Sequence, residues 1–188
     1  MRLIFVALPL VLAAQTVYAA DPQTLQDVFV PSIRTLASDP VLVQAIQGAN
    51  AATGSYDQAM IATLDATWQA EVGKAQTPTI TPVVQSAAAD FLRAEVAKSG
   101  GTITEIILMD AIGLNVATTD TTSDMWQGDE DKFAKTYPMG PDAVFIDEVE
   151  FDESTQTFQR QISISVVDPA TNAVIGAMTV AVDAEAVF

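Results

Sequence analysis

Apolar residues recur every three or four positions through the first half of the chain and, after about residue 101, every second position or in short solid runs. The first pattern predicts helices with one buried stripe and the second predicts strands. From Pro22 onward Leu25, Val28, Phe29, Ile33 and Leu36 line one face of a helix expected to bend at Pro31. Ser38-Asp39-Pro40 reads as a second helix start, with a side-chain acceptor at the cap and proline in the first turn, where its missing N–H is not needed. Val41, Leu42, Ala45 and Ile46 give that helix its apolar face, and Gly48 and Asn50 are expected to close it. Ala59 to Gly73 forms a third helical stretch, with Ile61, Leu64, Asp65 and Trp68 at helical spacing. The prolines of Thr77–Pro82 interrupt the pattern, and a further helix is predicted from Pro82 to Lys98, stopped by Ser99-Gly100-Gly101.

Ile103 to Met109 is predicted as a buried strand, Asp110 to Gly113 as a turn and Leu114 to Ala117 as the returning strand. Residues 118–142 are polar and read as a long excursion. Extended pattern resumes over Ala143–Phe151 and over Phe158–Val167, where Ile162, Ile164 and Val166 alternate with Gln161, Ser163 and Ser165. Asp168 to Asn172 makes a turn, and Val174–Val182 is the last strand. The order helices, hairpin, excursion and further strands predicts a single α+β domain, its antiparallel sheet covered on one face by long N-terminal helices.

The first twenty residues stand apart. Arg2 precedes an apolar run from Leu3 to Ala14, followed by the short polar stretch Gln15-Thr16 and then by Val17-Tyr18-Ala19-Ala20, which ends in small residues. This is the pattern of a secretory signal peptide over residues 1–20, the run being short of the roughly 20 residues a spanning helix needs. The remaining residues 21–188 are expected to form the domain, free in the periplasm or secreted and without a membrane span once processed.

Charge and composition narrow the chemistry. The chain holds 24 Asp plus Glu, 8 Lys plus Arg, and neither His nor Cys. The usual zinc, haem and iron–sulfur ligand sets are absent, as are His-dependent nucleophilic devices. A net charge of -16 with no cluster of cations argues against nucleic acid as a partner. No phosphate-cradling glycine loop or paired-carboxylate signature stands out, so no enzyme activity and no cofactor is expected; a carboxylate-based hydrolase is the weakest alternative.

The segments Asp110 to Ala117, Ser123 to Asp129, Asp147 to Ser154 and Ile175 to Val180 together resemble the Cache, or PDC-type, extracytoplasmic sensor domains, and the likeness spans essentially all of residues 21–188. Met125 stands where that family's Asp-aromatic-Trp triplet usually has tyrosine. The resemblance implies a PAS-like antiparallel sheet that cups a small molecule beneath the excursion. Family members usually sit between two membrane helices of a chemoreceptor or histidine kinase. With no second membrane segment legible here, any signal is expected to leave through a membrane receptor or kinase. The helix Pro22–Leu36 would then serve as a homodimer or partner surface, or simply pack against its own domain.

Within Thr121–Tyr137 the chemistry points to ligand binding. Trp126 offers a flat apolar wall, or else an anchor plugging the sheet face; Asp124, Gln127 and Asp129 are its polar neighbours and Tyr137 a further hydroxyl. Asp147 and Gln161, from the strands, complete the candidate set. Carboxylates at the site favour a solute carrying an amine, or an amino-acid-like one, while a carboxylate ligand would call on Lys132, Lys135 or Arg160. Asp129-Glu130-Asp131 and Asp147-Glu148-Val149-Glu150 also raise a calcium-binding or purely structural alternative, although neither follows the EF-hand spacing and the second run reads equally as a partly exposed strand face.

Overall fold

The computed structural model describes residues 22–152 and 157–186. Residues 1–21, which include the predicted signal peptide, and residues 153–156 and 187–188 lie outside them. The helices are α1 Pro22–Ala37, α2 Pro40–Thr53, α3 Gln58–Glu71, α4 Thr81–Val84 and α5 Ala87–Lys98, with α6 Asp131–Ala134 inside the excursion. The strands are β1 Ile103–Met109, β2 Asn115–Thr118, β3 Val144–Asp152, β4 Thr157–Val167 and β5 Val174–Asp183. They form one antiparallel sheet in the order β2-β1-β5-β4-β3, the α+β architecture expected from the change of period. Among the described residues no helix is long and apolar enough to cross a membrane.

Strand alternation sorts the sheet into two unlike faces. Ile106 and Leu108 of β1, Ile162, Ile164 and Val166 of β4, and Met178, Val180 and Val182 of β5 meet Leu25, Val30 and Ile33 of α1, Leu42 and Ile46 of α2, and Leu92 of α5. This is the main core. The other face carries small or polar residues along its middle: Ala177, Thr179 and Ala181 on β5, and Ser163 on β4 beside Thr179, their hydroxyls 2.9 Å apart. There the excursion crosses, with Phe133 of α6 buried against Ile107, Met109 and Ala177.

Local chemistry sets the helix ends, and one helix end, one helix count and one helix face differ from expectation. Asp39 caps α2 as predicted, its Oδ1 accepting the Val41 N–H at 2.9 Å. The helix nevertheless runs past Gly48 and Asn50 to Thr53, because its last turn is anchored to the sheet. Asn50 accepts the Ala111 N–H and donates to Ile175 O, and Thr53 donates to the Asp110 carboxylate. The single helix expected over Pro82–Lys98 is two, since Ser86 caps the Ala89 N–H and starts α5 afresh. On α1, Val30 and Ala37 join Leu25 and Ile33 in the core, whereas Val28 is 60% exposed.

Candidate functional site

The first half of the excursion is tied to the helices by side chains of α3. Asp65 Oδ1 accepts the N–H of Met125 at 2.8 Å and of Trp126 at 3.1 Å, and the Trp68 indole donates to Thr122 O. Ile61, Trp68, Ile80, Val83, Leu114 and Met125 form a satellite apolar cluster, and Trp126 packs against it half-buried. The Trp126 indole N–H is spent on Ile112 O at 2.8 Å. Gly113, at φ 84°, and Gly128 touch backbone to backbone beside that ring: a Cβ on Gly113 would lie 2.6 Å from the Gly128 Cα, and one on Gly128 would meet the indole. The buried Gln127 donates to Asp124 Oδ1 at 2.5 Å, while Asp124 O accepts from Asn115 and Thr122. Asp124, Trp126 and Gln127 are thus brought together, but their polar atoms bond one another, the neighbouring backbone and α3.

The second half of the excursion roofs a cavity of about 380 Å³ on the small-residue face of the sheet. Its roof is Glu130, Asp131 and Lys132, and its floor and wall are Gln159 and Gln161 of β4 with Asp147, Glu148, Glu150, Phe151 and Asp152 of β3. Strand register explains how so many carboxylates gather there. Ile146 opposes Ile162 but Val149 opposes Arg160, so two residues of β3, Asp147 and Glu148, face the single Gln161. That bulge flips the alternation of β3, and Glu150 and Asp152 then oppose Gln159 and Thr157. Asp147 Oδ1 accepts the Glu148 N–H at 2.8 Å, closing the bulge on itself.

Of the seven residues singled out in the sequence, Asp147 and Gln161 line this cavity. Asp129 is exposed just before its roof, and Tyr137 is half-buried, stacked on Phe133 at 5.2 Å between ring centroids. Lys132 lines the cavity too, named from the sequence only as a partner for a carboxylate ligand, as do Glu130, Asp131, Glu148 and Glu150, named only for the calcium alternative; Asp152 and Gln159 were not singled out. The run of acids on β3 was legible, but a bulge that turns two consecutive carboxylates towards one partner residue was not.

The cations differ in surroundings. Lys135 is half-exposed, 2.7 Å from Asp131 and over the Phe145 ring, and Arg160 is buried on β4 one position from the cavity floor. The Lys132 side chain is only 13% exposed, its ammonium 3.0 Å from the Glu130 carboxylate. On β1, Glu105 opposes Ala181, which in turn opposes Gln161, so it lies in the same row across the sheet. Burial pushes its carboxyl above the ordinary 4.5; Lys132 pulls it back, while Asp120 and Asp152 push it further up. Among the described residues no group of three or more carboxylates draws together in a way that would hold a metal ion.

No family model matches this chain, and no curated protein matches it. Solved structures similar to it include the sensor domain of the Vibrio cholerae histidine kinase DctB, at 12% identity and a TM-score of 0.47 over 88% of this chain and 55% of that one. The ligand-binding domain of the Pseudomonas aeruginosa amino acid chemoreceptor PctC, in complex with GABA, is 13% identical with a TM-score of 0.43, covering 85% of this chain and 62% of that one. The sensory domain of the Campylobacter jejuni chemoreceptor Tlp3, with isoleucine bound, is 11% identical with a TM-score of 0.40 over 89% and 65%. The chain spans a little over half of the first and under two thirds of the others.

Proposed function

We propose that this chain is a periplasmic or secreted, non-catalytic sensory module that holds a small amine-bearing solute in the cavity beneath α6 and relays its occupancy to a membrane receptor or histidine kinase. The observation that carries the reading is the cavity itself. Its volume, about 380 Å³, suits a solute of amino-acid or diamine size, and six carboxylates line it against one lysine. A cation entering such a space gains attraction from several sides, whereas an anion meets repulsion. Carboxylates spread round a hollow suit an organic cation with several N–H donors better than a calcium ion, which requires its oxygens drawn close about one point.

In this reading Asp147, Glu148 and Gln161 contact the solute, and Asp124, Trp126 and Gln127 hold the excursion in place. The test is thermal melting of residues 21–188 against amines, amino acids, organic acids and calcium. A shift with amines that disappears in Asp147→Asn/Glu148→Gln supports the reading. A shift with organic acids alone, or an amine shift that survives in that double variant but is lost in Trp126→Ala, overturns it.

A further inference from the structure

We infer that Lys132 is a tethered occupant of the acidic cavity, a cation supplied by the protein itself that an incoming amine must displace. The inference rests on the reading of the cavity as a solute site and adds how that site is regulated. Lys132 is the one cation among the ten lining residues and belongs to the roof. Lys98, Lys132 and Lys135 all pair with acids, but the side chains of Lys98 and Lys135 are 69% and 52% exposed and that of Lys132 only 13%. The Lys132 side chain is therefore largely withdrawn from water, with its ammonium on the Glu130 carboxylate at the acid-lined cavity.

The influence of that charge extends across the sheet, because Lys132 offsets part of the burial penalty on Glu105 of β1, in the same row as Gln161. An ammonium already bonded to Glu130 and facing further acids is poorly placed to receive a ligand carboxylate, which would also have to enter past Asp147, Glu148, Glu150 and Asp152. It is well placed to be exchanged for another ammonium. A helix of four residues carries it, so exchange would release one roof side chain without unfolding a longer element.

The chemistry supplies its own probe, since n-butylamine is the detached equivalent of a lysine side chain. Lys132→Ala opens the space that butylammonium fills, and Lys132→Met removes the charge but keeps most of the packing stem. Melting of the wild type, both variants and a Lys135→Ala control is followed against n-butylamine. Both Lys132 variants are expected to bind it about tenfold more tightly than the wild type, equivalent to about 1.4 kcal/mol, with Lys135→Ala unchanged.

Equal or weaker binding by the Lys132 variants overturns the inference while leaving the amine site standing. Binding of glycine by the wild type that both Lys132 variants lose overturns it too, by making Lys132 a carboxylate anchor. A gain in Lys135→Ala as large as in the Lys132 variants reduces the effect to net charge and also overturns it. No response to the amine in any of the four proteins removes both the inference and the reading beneath it.

Discussion

The tether between α3 and the excursion can be tested through one carboxylate. In Asp65→Ala the N–H groups of Met125 and Trp126 lose their shared acceptor, while the apolar cluster beneath them keeps its side chains. Each bond to a charged acceptor is worth about 1.5–3 kcal/mol, and a stranded, desolvated donor costs a comparable amount. Both bonds here are part-buried, so water recovers some of the loss and the total expected is about 2–4 kcal/mol. In a domain of this size that corresponds to a fall in melting temperature of about 5–15 °C. Asp65→Asn keeps an oxygen in place and should lose less than half as much. Urea unfolding followed by far-ultraviolet dichroism gives the free energies, and tryptophan fluorescence reports the loop. Were Asp65→Ala to melt within about 1 °C of the wild type, the excursion would not be held by α3 and the anchoring role given to Trp126 would fall with it.

Two further outcomes follow from local geometry. The folded chain holds the Glu105 proton more tightly than the unfolded chain does, so this residue costs stability as pH rises past 4.5 and costs it fully above the raised folded value. Glu105→Gln should therefore melt higher than the wild type at about pH 7, with the gap closing by about pH 4; a gap that widens on acidification contradicts the assignment. Ser86→Ala removes the acceptor for the Ala89 N–H that begins α5 and should cost about 1 kcal/mol in urea unfolding, whereas loss of nothing measurable would mean that α4 and α5 merge when the cap is gone.

What the sequence made legible follows from how local each signal is. The strand β1 ends where its pattern does, at Met109, because Asp110 caps the turn with its own carboxylate, accepting the N–H groups of Ile112 and Leu114. The start of α2 is equally local, set by Asp39 and Pro40. Its end is not: the bonds of Asn50 and Thr53 reach residues about 60 and 125 positions away, and no window of sequence contains both partners. The split between α4 and α5 was within reach, since serine is a favoured cap, but a serine inside a helical run reads equally as a tolerated interior residue. The site divides in the same way. Asp147 and Gln161 could be chosen from strand alternation, whereas Lys132 and Glu148 reach the cavity through the crossing of α6 and a bulge, both products of tertiary structure.

The two halves of the excursion differ in their restraints, and that difference separates the two candidate ligand positions. Residues 122–127 are held by Asp65, Trp68, Ile112 and Asn115 and by the backbone pairing of Leu114 with Trp126. Residues 130–139 reach the sheet face chiefly through Phe133, its stacked partner Tyr137 and Lys135 over the Phe145 ring of β3, while the ion pairs of Lys132 and Lys135 are made inside the segment itself. A solute entering beneath α6 adds contacts to the less restrained half and little to the other. Amide hydrogen exchange with and without a bound amine should therefore show slowing at Asp131–Thr136 and on β3 near Asp147–Glu150, with Thr122–Gln127 unchanged. Slowing confined to Thr122–Gln127 would move the solute to the indole of Trp126 and leave the acidic cavity as solvated surface.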